Sequence, residues 1–134
     1  MRILLALVGL VTAAGAGAQV ASSAPTYIFF DWGKGELSSD ATATLDGVVE
    51  RYRAAPEPLL LDGHSDRSGP AGPNLASSRR RAEITRDYLV AHGVPASAIR
   101  VRAYGEAAPI IATADGVREV QNRRVEIRFV AAGN

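Results

Sequence analysis

The clearest pattern of apolar and polar positions lies at the end of the chain. Over 123–130, Val125, Ile127 and Phe129 alternate with Arg124, Glu126 and Arg128. Period-2 alternation of this kind predicts a strand with one face on a core and one in water. Ile99 to Tyr104 predicts a second strand, and Leu59-Leu60-Leu61 a short, fully apolar third. Thr26 to Trp32 carries aromatic and β-branched residues on both faces, which predicts a well-covered first strand. Between them, Leu45, Val48, Val49 and Tyr52 fall at i, i+3, i+4 and i+7, a single helical stripe. Ser38 or Ser39 supplies the N-cap, Asp40 favours the first turn, and Pro56 and Pro58 end the helix. Gly69, Pro70, Gly72 and Pro73 predict a non-helical loop. Asn74 then caps a second helix running to about His92, with Gly93 in the left-handed position beyond it. Its core stripe is Leu75, Ser78, Ala82, Thr85 and Leu89, flanked by Ile84 and Tyr88. A loop with a helical turn near Val117 to Val120 fills the stretch from Pro109 to Gln121. The order is βαβαββ and the class α+β: a two-layer sandwich with both helices on one face of a mixed four-stranded sheet.

Length and composition narrow the setting. At 134 residues the chain is long enough for one core and too short for two. Residues 1–18 read as a signal peptide: Arg2, an apolar run from Ile3 to Val11, and a cleavage site at Ala16-Gly17-Ala18. That run is too short for a transmembrane helix, although an uncleaved anchor is the alternative. Residues 19–25 read as a flexible lead-in and 26–130 as the domain, with no transmembrane segment. The chain has no Cys, so neither a disulfide nor a cysteine-linked lipid is expected after cleavage. Loss of Arg2 leaves 14 basic and 14 acidic residues, a balance that argues against nucleic acid and anionic membrane as partners. Charge recognition must therefore be local, and Arg79-Arg80-Arg81 is the one dense patch.

The candidate chemistry lies where the Leu59–Leu61 strand runs into Asp62-Gly63-His64-Ser65-Asp66. Asp66 stands at the carboxyl end of a strand, where ligands tend to bind, and Arg81 follows fifteen residues later on the next helix. Such a pair suits a small zwitterion, the acid taking an ammonium and the guanidinium a carboxylate through two parallel N–H bonds. His64 is expected to hold the loop by hydrogen bonding. With no second His nearby, His64, Asp62 and Asp66 do not make a metal site. Ser65 beside His64 does not make a nucleophile and base, because neighbours on a strand face opposite ways. No nucleophile elbow is present and no cofactor is implied, so the chain is not expected to be an enzyme.

Gly63-His64-Ser65-Asp66, Gly69, Asn74, Ser78, Arg81-Ala82, Tyr104-Gly105-Glu106 and Asn122-Arg123-Arg124-Val125-Glu126 occur in that order. Together they resemble the OmpA-like C-terminal domains (the OmpA/MotB/Pal family), which bind peptidoglycan. The resemblance covers roughly Thr26 to Val130, with no gap between Asp66 and Arg81. It implies a non-catalytic, wall-associated periplasmic module in which Asp66 and Arg81 hold the zwitterionic end of diaminopimelate in the peptide stem. Asn74 and Ser77 join the ligand-binding set with His64, and the loop Gly33-Lys34-Gly35 forms another wall of the pocket. An outer-membrane or other envelope protein is a further expected partner. Arg123 and Arg124 are implied to lie near the structural core, with Asp62 as a guessed partner for Arg124. The chain departs from the family at Pro73, where Tyr is usual, and at Ser77, where a pocket-lining Leu is usual. Those departures keep open an alternative: a periplasmic protein-interaction or assembly module of the same fold with weakened or lost wall binding.

Overall fold

A computed structural model describes residues 24–33 and 35–131. The expected signal peptide, the lead-in up to residue 23 and Lys34 lie outside the described residues. The elements run β1 (Thr26–Phe29), α1 (Ser39–Ala54), β2 (Leu59–Gly63), α2 (Ala71–Ala91), β3 (Ile99–Ala103) and β4 (Arg124–Phe129), with 3₁₀ turns at Ala96–Ala98 and Val120–Asn122. The strands form one sheet in the order β1-β4-β2-β3. β2 and β3 are parallel, and β4 is antiparallel to both β1 and β2. Both helices pack on one face, so the predicted α+β sandwich is the fold observed. None of the described helices is long and apolar enough to cross a membrane.

The core sits between helices and sheet. Leu45, Val48 and Val49 of α1 and Ala82 and Leu89 of α2 meet Ile28, Leu59, Leu61, Val125, Ile127 and Phe129. Burying each large side chain contributes about 1.5–3 kcal/mol. Ser38 caps α1, its hydroxyl accepting from the Ala41 N–H at 3.1 Å. Gly93, at φ +107°, turns the chain out of α2 as expected.

The second helix begins earlier than predicted, and Asn74 is not its cap. Pro70 is the N-cap residue, and the Asn74 N–H already donates to the Pro70 carbonyl at 3.1 Å. Pro73 fits the first turn because the first four N–H groups of a helix need no internal acceptor. Leu75 is 46% exposed and leaves the core stripe. The short turn near residue 117 falls later, at Val120–Asn122. The first strand stops at Phe29 and lies at the sheet's edge, with Tyr27 and Phe29 both exposed rather than covered.

The largest departure concerns the sheet face away from the helices. Arg124 and Glu126 are buried there, not solvated. Arg124 pairs with Glu126 at 2.8 Å, not with Asp62. Asp62 instead receives Arg102 at 2.7 Å and Arg128 at 3.4 Å. The Ala108 carbonyl accepts a further bond from Arg124, closing the network from above. Such groups tolerate burial because each charge has both a counter-charge and hydrogen bonds.

Candidate functional site

α2 approaches the sheet more closely at β2 than a side chain would allow. A Cβ on Gly63 would stand 1.9 Å from the Ser78 carbonyl oxygen, so the contact requires glycine. The Ser78 hydroxyl accepts the Gly105 N–H at 2.9 Å and ties the loop after β3 to the same turn. One turn further along α2, this approach brings Arg81 to the end of β2. Its Nη1 donates to the His64 carbonyl at 3.1 Å. Nε is buried with no partner among the described residues.

Asp66 lies across from it, 2% exposed. Arg123 Nη1 donates to its Oδ2 at 2.7 Å, as does the Glu119 N–H at 3.1 Å. Oδ1 accepts from both the N–H and the hydroxyl of Ser68. All four in-plane acceptor positions of the carboxylate are therefore filled from within the chain. Burial alone would raise its pKa, but the bonds from Ser68, Arg123 and the Glu119 N–H outweigh it, and the carboxyl titrates below its ordinary value. For Arg81, burial and then the nearby Arg123 guanidinium lower the pKa, with Asp66 opposing.

Asp66, Arg81, Asn74 and Ser77 line one cleft of about 380 Å³. Trp32, Gly33 and Gly35 form its opposite wall, with Arg80 at the rim. Asn74 Nδ2 donates to the Gly69 carbonyl and to Glu106 at 3.2 Å each, so it joins the two loops flanking the cleft. His64 is not part of this constellation. Its N–H donates to the Arg124 carbonyl, so its backbone does hold the loop, but its ring turns to the opposite face of the sheet and stacks on Tyr104 at 5.2 Å. Neither ring nitrogen has a hydrogen-bond partner among the described residues. Burial, then Arg124, depress its pKa to about 4 against the pull of Glu126 and Asp62. No cluster of His, Cys, Asp or Glu among the described residues could hold a metal ion.

Sequence reasoning missed three contributors. Arg123 is 7% exposed and joins Asp66 to the Phe30 carbonyl, the latter through Nε at 2.9 Å. Alternation along the last strand was the available signal: Arg123 shares the parity of Val125, the helix-facing side. Ser68 and Trp32 were also passed over. The indole N–H donates to the Ser68 hydroxyl at 3.2 Å, and Arg118 lies over the indole face at 3.4 Å from the ring centroid.

In charge, the Asp66–Arg123 pair is balanced, which among the described residues leaves Arg81 as the unbalanced cation inside the cleft and Arg80 at its edge. The cleft is thus prepared for an anionic group with a polar neighbour.

The OmpA family model matches residues 29–123. The chain is a member of the OmpA family. Among its relatives, the peptidoglycan-associated lipoprotein of Rhizobium meliloti is 38% identical over 108 residues, 80% of this chain and 61% of that protein. An outer membrane protein of Gluconacetobacter diazotrophicus is 37% identical over 115 residues, 78% of this chain and 30% of that protein. The chain thus spans less than two thirds of the length of either. The crystal structure of the peptidoglycan-associated lipoprotein from Burkholderia pseudomallei superposes with a TM-score of 0.70 at 25% identity, over 75% of this chain and 86% of that one. The periplasmic domain of Helicobacter pylori MotB shares the fold at 17% identity, with a TM-score of 0.67 over 83% of this chain and 79% of that one. Within the OmpA family's βαβαββ frame, the cleft opens where the β1–α1 loop, the end of β2 and the start of α2 converge.

Proposed function

We propose that this chain is a non-catalytic peptidoglycan-binding module of the cell envelope, and that its cleft receives the zwitterionic end of diaminopimelate in the peptide stem. The observation that carries the reading is Arg81: a buried guanidinium in a cleft, with one bond to the chain and its Nε unpartnered among the described residues. A carboxylate entering the cleft meets the cation that Asp66 leaves unbalanced, in the fork geometry that guanidinium offers. The ammonium goes to Asp66 Oδ1 by displacing the Ser68 hydroxyl, the one donor there that can rotate away. Asn74 and Ser77 border the bound group. Ser77 supplies a hydroxyl rather than an apolar wall, so recognition rests on charge more than on apolar contact. His64 acts through its carbonyl, which orients Arg81. Relatives named peptidoglycan-associated lipoprotein support the wall as the target. The setting is the periplasm, at the wall or peripheral to the outer membrane, after export by a cleaved signal peptide.

Co-sedimentation with purified sacculi tests this. The protein is expected to pellet with diaminopimelate-type sacculi and much less with lysine-type ones, whose side chain lacks the carboxylate. Arg81→Ala should reduce pelleting by at least about 30-fold in affinity, the equivalent of 2 kcal/mol or more for a desolvated charge pair. Arg81 is preferable to Asp66 as the decisive variant, because Asp66→Ala would strand Arg123 and test folding instead. Wild-type protein remaining in the supernatant would sink the wall reading. The same cleft would then serve a protein ligand with an exposed carboxylate, in an assembly module of this fold.

A further inference from the structure

The cleft carries more positive charge than the ligand end proposed for it would balance. Its lining holds two guanidiniums, Arg80 and Arg81, and one acid, Asp66, whose charge Arg123 already matches at 2.7 Å. All 14 Asp and Glu side chains of the protein lie within the described residues, and no ion pair among them reaches Arg80 or Arg81. Lys34, between the two glycines of the cleft wall, is itself a cation and cannot neutralise them. A zwitterion adds one charge of each sign. Its carboxylate meets Arg81, and its ammonium then enters a cleft where a second cation is left without a partner.

That second cation is Arg80. It is adjacent to Arg81 on α2, about 100° away around the helix axis, so Arg81 is buried inside the cleft while Arg80 lies exposed at the rim. A Cβ on Gly35 would stand 3.2 Å from Arg80 Nε and 3.9 Å from its Nη2, so the guanidinium lies against the β1–α1 loop. An exposed arginine commonly does no more than solvate a helix face. Arg79, one residue earlier, fits that description: it is exposed and lines a different groove with Glu83 and Arg86. Arg80 differs because it borders the cleft and the cleft is short of negative charge. When the diaminopimelate end enters first, the rest of the stem must leave over the rim.

We propose that Arg80 is a specificity-determining residue that takes a second carboxylate of the peptide stem, so that the cleft prefers stems in which this group is free over stems in which it is amidated. The inference rests on the diaminopimelate reading of the same cleft. A stem offers the group on either side of diaminopimelate: the α-carboxylate of the d-glutamate before it, and the terminal carboxylate of the d-alanine after it. Either one at the rim balances the charge that the zwitterionic end leaves over. Amidation keeps the shape of the group but removes its charge, so it forfeits the charge-assisted bond and little else.

Isothermal titration calorimetry tests the proposal on the protein expressed from its full coding chain and recovered from the envelope. The probes are three N-acetylated stem tetrapeptides: one with both carboxylates free, one amidated at d-glutamate and one amidated at d-alanine. One amidation or the other should weaken wild-type binding about threefold to fivefold, the upper range for an exposed ion pair, and the position that does so identifies the carboxylate. Arg80→Gln should bind the free stem weaker by the same factor and respond to neither amidation. Its remaining affinity also shows that it is folded. Arg79→Gln removes the same charge one residue away and should keep both the wild-type affinity and the wild-type response. Wild-type binding that is indifferent to both amidations overturns this inference and leaves the diaminopimelate reading standing. An Arg80→Gln variant that keeps the response overturns it too, as does an Arg79→Gln variant that loses it, which would make the effect one of overall charge. Failure of the wild type to bind any of the three stems sinks the diaminopimelate reading, and this inference with it.

Discussion

His64 makes the domain's stability depend on pH in a window set by one residue. Its ring is 4% exposed, stacked on Tyr104, with Glu126 Oε1 3.9 Å from Nε2 and neither nitrogen hydrogen-bonded among the described residues. Burial, reinforced by Arg124, holds its pKa near 4, against 6.5 for the free side chain. The folded protein therefore keeps the ring neutral at pH values where the unfolded chain has already taken up a proton. Acidification then favours the unfolded state, so the stability present above pH 6.5 is lost as the pH falls toward 4. At 1.36 kcal/mol per pH unit the full difference is about 3 kcal/mol, most of which is gone by pH 4.5. Asp66 does not confuse the measurement. Its carboxyl titrates below its ordinary 3.8, so the stability it contributes is lost at still lower pH. Urea unfolding followed by far-UV circular dichroism at pH 7.5 and pH 4.5 reads the loss directly. His64→Phe keeps a ring on Tyr104 but cannot titrate, and its stability should change by less than about 0.5 kcal/mol between the two values. A wild type equally stable at both pH values would refute the reasoning, as would a His64→Phe variant that keeps the full loss.

Two further outcomes follow from the packing around the cleft. Gly63→Ala forces a Cβ onto the Ser78 carbonyl, backbone against backbone, and should destabilise the fold by about 3 kcal/mol or more in the same urea assay, whereas Gly47→Ala, with open space around it, should not destabilise it. Arg123→Met leaves Asp66 buried without its counter-charge and should cost about 3–5 kcal/mol. Adding Asp66→Asn to Arg123→Met should recover part of that loss, and a double variant no more stable than the single one would refute the pairing argument.

The frame of the molecule was readable because it depends on local pattern. The stripe of α1, the alternation of β4 and the turn at Gly93 each express a constraint within a few residues. Asp66 and Arg81 were readable as a pair for the same reason, standing at adjoining ends of consecutive elements. What escaped depends on strands brought together from afar. The Asp66–Arg123 pair joins residues 57 apart. Arg124, Glu126 and Arg128 looked solvated because a charged residue on an alternating strand usually is. Only the arrival of Asp62 and Arg102 from neighbouring strands, and of the Ala108 carbonyl, makes their burial tolerable. Asn74 misled in a different way: it has the chemistry of a cap, but Pro73 before it fits a first helical turn as readily as a loop.

The chain contains a single tryptophan, and that residue is bonded through Ser68 to the carboxylate at the base of the cleft. Its indole is half exposed, with a guanidinium on one face. Whatever displaces the Ser68 hydroxyl from Asp66 also removes the indole's acceptor. Tryptophan emission, excited apart from the four tyrosines, therefore reports from the cleft alone, so occupancy there can be followed without any label.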